Sequence, residues 1–254
     1  MRTPSRIRGE IRSGAWNTPT TGVCSDYLQT NLVVMPKIYA ADFQEYAKLN
    51  PKPCPVLEQL PPGSWSPVLA PDADIRKDLP GYRVYRNGAL TDRLTSIEEL
   101  WQDDFVSFLI GCSFTFEDAL VTEGVPLRHI TENKNVAMYK TSIDTEPAGP
   151  FGGEMVVSMR PVRKDKVILA YEITGRFPKV HGAPVHAGDP ERIGIADLNR
   201  PDYGEAVEVR HDEVPVFWAC GVTPQEAILQ ARLPIVITHE PGHMFVTDKK
   251  YDEL

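Results

Sequence analysis

Two stretches of the chain share one shape, and that shape limits the folds open to it. Residues 214–227 run as a short apolar strand through Phe217 and Trp218, reach Cys220, and turn at once into a helix. Residues 106–120 repeat the pattern through Phe108 and Ile110 to Cys112. At one offset of 108 residues Val106 matches Val214, Cys112 matches Cys220, Thr115 matches Thr223, Ala119 matches Ala227 and Pro126 matches Pro234. The second helix carries start signals: Thr223 as N-cap, Pro224 at the first helical position, and Glu226 placed to close a capping box. Asp118 falls where Glu226 falls. Each unit is expected to lead into a further strand, over residues 126–130 and 234–238. A strand that ends at a helix start aims free N–H groups beyond the sheet, where they suit an anion or a developing oxyanion.

The rest of the chain, 254 residues with a formal net charge of −8, is long enough for a large core. That charge argues against nucleic acid or an anionic membrane as main partner. No apolar run approaches the roughly 20 residues needed to span a bilayer, and Arg2, Arg6, Arg8 and Arg12 are followed by no apolar segment of a secretory signal. Cys24, Cys54, Cys112 and Cys220 are widely spaced, as expected of reduced thiols in a cytoplasmic protein rather than of a disulfide framework or zinc ribbon.

Read in order, residues 1–22 are polar and turn-rich. Leu28, Leu32, Met35 and Tyr39 recur at helical spacing, so residues 25–49 read as helix, split at Pro36. A Pro-rich stretch over 50–81 reads as a long surface-wrapping loop. Tyr82–Arg86 alternates as a strand before the hairpin signal Asn87-Gly88. Ser96 caps a helix start. Strands are expected at 136–143, 155–162, 193–198 and 206–210, with a helix over 165–176 and a loop over 177–190. The two Cys units then flank a smaller α+β insertion of residues 136–205, and residues 1–135 with 206–254 form the main α/β domain.

Four groups of polar residues are candidates for chemistry. Cys112 and Cys220, each before a helix start, have the placement of a thiol with lowered pKa, although a small buried residue fits the same turn. With them go the turn residues Ser113, Thr115, Gly221 and Thr223. His181 and His186 on a Gly/Pro-rich loop suit a general acid or base, or structural hydrogen bonding. His239-Glu240-Pro241-Gly242-His243 matches H-E-x-x-H by letter, but Pro-Gly forbids the helix that motif needs, leaving His239 and His243 on a turn. Arg128, Arg160 and Arg176 lie near element ends, and Arg160 or Arg176 suits a carboxylate clamp; a surface ion pair is the plainer reading of each. No P-loop, dinucleotide fingerprint or nucleophile elbow is present.

Several of these stretches resemble one family. Ile110-Gly111-Cys112-Ser113-Phe114, Phe151-Gly152-Gly153, Val157-Ser158-Met159-Arg160-Pro161, His181-Gly182-Ala183-Pro184-Val185-His186, Phe217-Trp218-Ala219-Cys220-Gly221-Val222-Thr223-Pro224 and Pro241-Gly242-His243-Met244-Phe245 are similar to the putative hydro-lyase (YcsI-like) family. The likeness runs nearly end to end, from Asn31 to Asp248. A related domain occurs in mitochondrial D-glutamate cyclase, which dehydrates D-glutamate to 5-oxo-D-proline. The resemblance implies a three-layer α/β main domain with a smaller two-layer domain, and loss of water from a small carboxylic or amino acid.

The expectation is therefore a hydro-lyase. Arg160 or Arg176 clamps a carboxylate, with Ser113, Thr115, Gly221, Thr223 and His243 around the substrate. His181, His186, His239, Cys112 and Cys220 are the candidate catalytic groups. No cofactor is expected, while a metal-assisted dehydration and a metal-dependent hydrolase using His239 and His243 stay open; the partner is a small anionic substrate, and a homodimer stays open. The rival reading is a non-catalytic carboxylate-binding or accessory protein of 5-oxoproline metabolism, using the same helix ends without an acid or base.

Overall fold

The computed structural model describes residues 2–254, built as two antiparallel sheets with helices and long loops between and around them. In chain order the helices are α1 (Pro4–Arg12), α2 (Lys37–Leu49), α3 (Phe114–Thr122), α4 (Arg128–Thr131), α5 (Val167–Gly175) and α6 (Thr223–Ala231). The strands are β1 (Gln29–Pro36), β2 (Val56–Leu60), β3 (Tyr82–Arg86), β4 (Ala89–Leu94), β5 (Phe105–Gly111), β6 (Ala137–Ala148), β7 (Phe151–Arg163), β8 (His186–Ala187), β9 (Glu213–Ala219), β10 (Val236–His239) and β11 (Phe245–Val246). The larger sheet runs β2-β5-β1-β10-β3-β4, with β11 paired to β1. The smaller runs β6-β7-β9-β8. The mixed α/β class expected from the sequence is what is found.

The larger sheet is covered on both faces. Phe43, Tyr46 and Ala47 of α2 and Ala227 and Ile228 of α6 pack on one side. On the other lies the Pro-rich loop, through Leu69, Ala70, Ile75 and Leu79. This double burial explains why residues 28–36 read as helix. β1 is buried along nearly its whole length, so its apolar residues show no alternation, and Pro36 marks the strand end where α2 begins. Asn87 and Gly88 both have positive φ (52° and 80°), the type I′ turn that closes β3 onto β4.

Several other expectations change. Residues 4–12 form a helix capped by Thr3 and tied down by buried Arg8, which donates to Val246 O and Asp248, both 2.9 Å away. Residues 126–130 turn into α4 instead of a strand, and residues 193–198 and 206–210 form no strand but cover the smaller sheet through Ile193, Ile195 and Val207. The start at Ser96 yields only a short 3₁₀ turn, Glu98–Leu100. The strand leading to Cys220 belongs to the smaller sheet. β9 pairs with β7 residue by residue from Val157↔Ala219 to Arg163↔Glu213, and α6 then carries the chain back to β10 in the larger sheet. The two repeated units thus lie in different sheets. Their strands nevertheless correspond residue for residue at the offset seen in the sequence, 105–111 and 213–219.

Candidate active site

The ends of β5 and β9 meet where the two sheets join. Cys112 and Cys220 pack in one cluster with Phe114, Val136, Met138, Val156, Val222 and Met244. Asn31 of β1 links the turns: its amide donates to Gly111 O at 2.7 Å and Ile110 O at 3.3 Å, and it lies directly on Gly221, where a Cβ would fall 2.0 Å from Asn31 Nδ2. Neither helix start is capped by a side chain. The first helical residues follow Ser113 and Val222, and the expected capping box at Thr223 and Glu226 is absent. Thr223 lies one residue inside the helix, where its hydroxyl donates to Cys220 O (2.7 Å) and accepts from Val156 N (3.1 Å). Thr115 accepts from Gln29 N (3.3 Å), and Glu226 pairs with Lys140 and Tyr203. Burial pushes both thiols up, Cys220 to about 11 and Cys112 further, against the pull of backbone N–H groups. They are protonated at neutral pH, so the placement read as lowering a thiol pKa does not do so here.

Beneath the first turn lies a buried ion network. Arg160 on β7 is fully buried. Its Nε and Nη2 donate to Glu117 Oε1 (3.0 and 2.6 Å), Nη2 also to Ser113 Oγ (3.0 Å), and Nη1 to Ser158 Oγ (3.0 Å). The guanidinium also lies over Phe116 and Trp218, with 5.4 and 5.3 Å to the ring centroids. Arg160 therefore already grips a carboxylate of its own chain, and the clamp expected of it is occupied by Glu117. Burial pushes the Glu117 carboxyl up, but His129 and Arg160 outweigh it and hold the group below the usual carboxylate range.

His129, on α4, is the residue that sequence reasoning missed. Its Nε2 is 3.0 Å from Glu117 Oε1. The contact is close but off the hydrogen-bond line, so neither ring nitrogen has a hydrogen-bond partner, although the residue is only 1% exposed. It floors a cleft of about 370 Å³, lined also by Trp16, Thr18, Thr21, Asn133, Lys134, Asn135 and Glu205. Thr21 Oγ1 and Asn135 Oδ1 are likewise buried without partners. Buried polar groups left unpaired are uncommon and costly, about 1–3 kcal/mol each, and several around one cleft mark a place made for a ligand or water. The cleft adjoins the Cys junction: Val136 follows Asn135 and packs with both thiols, and Thr20 accepts from Met244 N at 3.0 Å. A larger cleft of about 550 Å³, lined by Thr115, Asp118, Arg176, Lys250 and Tyr251, holds no such unpaired buried group.

The remaining candidates scatter. His181 is buried with a left-handed backbone (φ 83°), its Nδ1 donating to Lys52 O at 2.8 Å; burial lowers its pKa to about 4, so it is neutral and already hydrogen-bonded. His186 lies at the edge of the smaller sheet, stacked on Phe217 and donating to Asp189 O at 2.7 Å, and is not among the residues of the junction. His239 ends β10, fully buried, its Nδ1 against the Leu32 backbone and its Nε2 unpaired; burial lowers it to about 4. His243 follows the turn at Gly242 (φ 83°) and donates to Pro241 O at 3.2 Å. Among the described residues, no three His, Cys, Asp or Glu side chains are grouped to hold a metal ion. Arg176 is exposed in the larger cleft, away from Arg160. Among the described residues no helix is long and apolar enough to cross a membrane.

With this geometry in place, residues 106–248 match the family model described as D-glutamate cyclase. The chain belongs to that family. The match begins in β5 and takes in both Cys turns, Arg160, Glu117 and His129. A Burkholderia multivorans protein named "Putative hydro-lyase" is 56% identical over 247 residues, which cover 97% of this chain and 95% of that one. One from Geobacillus kaustophilus, similarly named, is 56% identical over 248 residues, covering 97% and 94%. One from Stutzerimonas stutzeri is 54% identical over 252 residues, covering 99% and 95%. A nitrogen repressor-like protein of Methanococcus jannaschii overlays 99% of each chain at TM-score 0.40 and 11% identity, a likeness too slight to bear on the site.

Proposed function

We propose that this protein is a hydro-lyase for a small carboxylic or amino acid, with the cleft over His129 as its active site. The observation that carries the reading is the imidazole of His129: buried beneath a polar cleft, 3.0 Å from an ionised carboxylate, and with both nitrogens free of hydrogen bonds. An imidazole in that position suits general acid–base work. The family description and the names of the relatives supply the reaction class.

For a substrate of the glutamate type, the amine nitrogen attacks the side-chain carboxyl carbon. A C–N bond forms, the amine gives up a proton, and the C–O bond breaks as the hydroxyl takes a proton and leaves as water. His129 donates that proton, a role the sequence had suggested for His181 or His186. No cofactor enters this reaction.

The test is a panel of D- and L-glutamate, 5-oxoproline and small hydroxy acids, followed for water loss or gain by proton NMR, with His129→Gln beside the wild type. One acid is expected to turn over, at least about 10²-fold slower in the variant. Unchanged turnover in folded His129→Gln would remove His129 from the mechanism. An acid that binds both proteins equally, with no turnover in either, would make this a carboxylate-binding protein.

A further inference from the structure

We infer that Glu117 is a positioning residue that holds His129 in its charged, proton-donating form, with Arg160 keeping Glu117 itself ionised. This inference rests on His129 being the proton donor proposed above.

The geometry is lopsided in an informative way. Glu117 Oε1 takes all the contacts: Arg160 Nε at 3.0 Å, Arg160 Nη2 at 2.6 Å and His129 Nε2 at 3.0 Å. Oε2 is buried and has no partner. A carboxylate placed only to neutralise Arg160 would pair both oxygens with the guanidinium, as Glu240 does with Arg83 and Glu213 with Arg128. Here Nη1 donates to Ser158, Nη2 is shared between Ser113 and Glu117 Oε1, and that same oxygen faces the imidazole. Ser113 and Ser158 thereby fix the angle of Arg160, and Arg160 fixes the carboxylate.

The charges around the ring give the arrangement its sense. Glu117, from α3, favours the imidazolium. Arg160, from β7, opposes it, as does Lys134 at the cleft; Glu205, which accepts from Asn135 N, favours it. Lys134 is itself paired with Glu132 at 2.7 Å, which blunts its effect. Glu117, 3.0 Å from the ring nitrogen and buried with it, is the nearest of these charges and so dominates.

The experiment reads the titration of His129 by NMR of its ring carbon, with its resonance assigned by loss in His129→Gln, in wild type and in Glu117→Gln. The variant is expected to titrate at least about one pH unit lower, and kcat at pH 8 to fall about tenfold or more with KM little changed. Should Glu117→Gln fail to fold with Arg160 unpaired, Glu117→Asp keeps the charge and draws it back by one methylene; a smaller downward shift is expected. A folded variant of either kind in which His129 titrates as in wild type overturns the inference. Because this readout needs no turnover, it separates failure of the Glu117 role from failure of the hydro-lyase reading, which the His129→Gln assay decides.

Discussion

The two Cys turns are the same piece of backbone put to different uses. Both run strand, Cys, uncapped helix start, and their strands correspond residue for residue. They part at the fifth residue after the cysteine, which is Glu117 in one and Gln225 in the other, each buried. Gln225 is a neutral joint: it accepts from Tyr85 OH at 3.0 Å and donates to His239 O at 3.1 Å, tying the helix to the larger sheet. Glu117 is charged, and is met by Arg160 and His129. The residue after the cysteine differs in step. Ser113 supports Arg160, whereas Gly221 makes room for Asn31. Downstream, the Pro126 copy turns into α4 and delivers His129, while the Pro234 copy goes straight into β10. One local frame thus carries a buried ion network when its buried position is a carboxylate and a packing joint when it is an amide.

The sharpest way to break this comparison is to neutralise the charged copy. Glu117→Gln leaves Arg160 buried and alone, an expected loss of about 3–5 kcal/mol in denaturant unfolding. Gln225→Leu, which takes the acceptor from Tyr85 OH and leaves His239 O with only the Thr238 hydroxyl, should cost about 1–3 kcal/mol. Equal losses would mean that the charge at Glu117 has no special standing.

Next comes pH. His181 and His239 are held neutral, near 4 against an ordinary 6.5, chiefly by burial. Above pH 6.5 neither state carries their protons and their packing counts in full. As pH falls from 6.5 towards 4 the unfolded chain takes up protons that the native histidines refuse. Stability should then drop by about 1.4 kcal/mol per pH unit for each histidine. Unfolding midpoints measured from pH 7.5 to 4.5 check this, and His181→Gln should flatten the slope.

Exchanging the residue after each cysteine gives a smaller effect. Gly221→Ser puts a side chain into Asn31 and should cost about 1–3 kcal/mol. Ser113→Gly removes one support of Arg160 and should cost about 1.5–3 kcal/mol, with loss of activity exceeding that of Gly221→Ser in whatever protein remains folded. The smallest change is Glu226→Gln, where Lys140 is 41% exposed and the pair contributes at most about 1 kcal/mol.

Much of this frame was legible in the sequence. The repeated strands, the hairpin at Asn87-Gly88 and the turn that disqualifies H-E-x-x-H are local patterns, and local patterns report local structure. The assignment of β9 to the smaller sheet was not legible, because strand pairing is decided by partners far away in sequence. β1 misled because burial on both faces erases alternation. At the site, Ser113 and Arg160 could be picked out as polar residues near the Cys turn, but the partner of Arg160 could not. Glu117 reads as an ordinary helix carboxylate until folding brings β7 behind it. His129 carries no motif; its one signal was that it follows the proline matched between the two units, where a strand was expected and a helix formed.

The most direct measurement is to titrate the acid that the protein turns over, or its closest unreactive analogue, into histidine-labelled protein and follow all six ring resonances. If His129 is the proton donor, its resonance moves first and saturates with the kinetic constant, while that of His186, at the edge of the smaller sheet, stays still. A saturating shift at His186 or His243 with His129 unmoved would contradict it and place the site elsewhere.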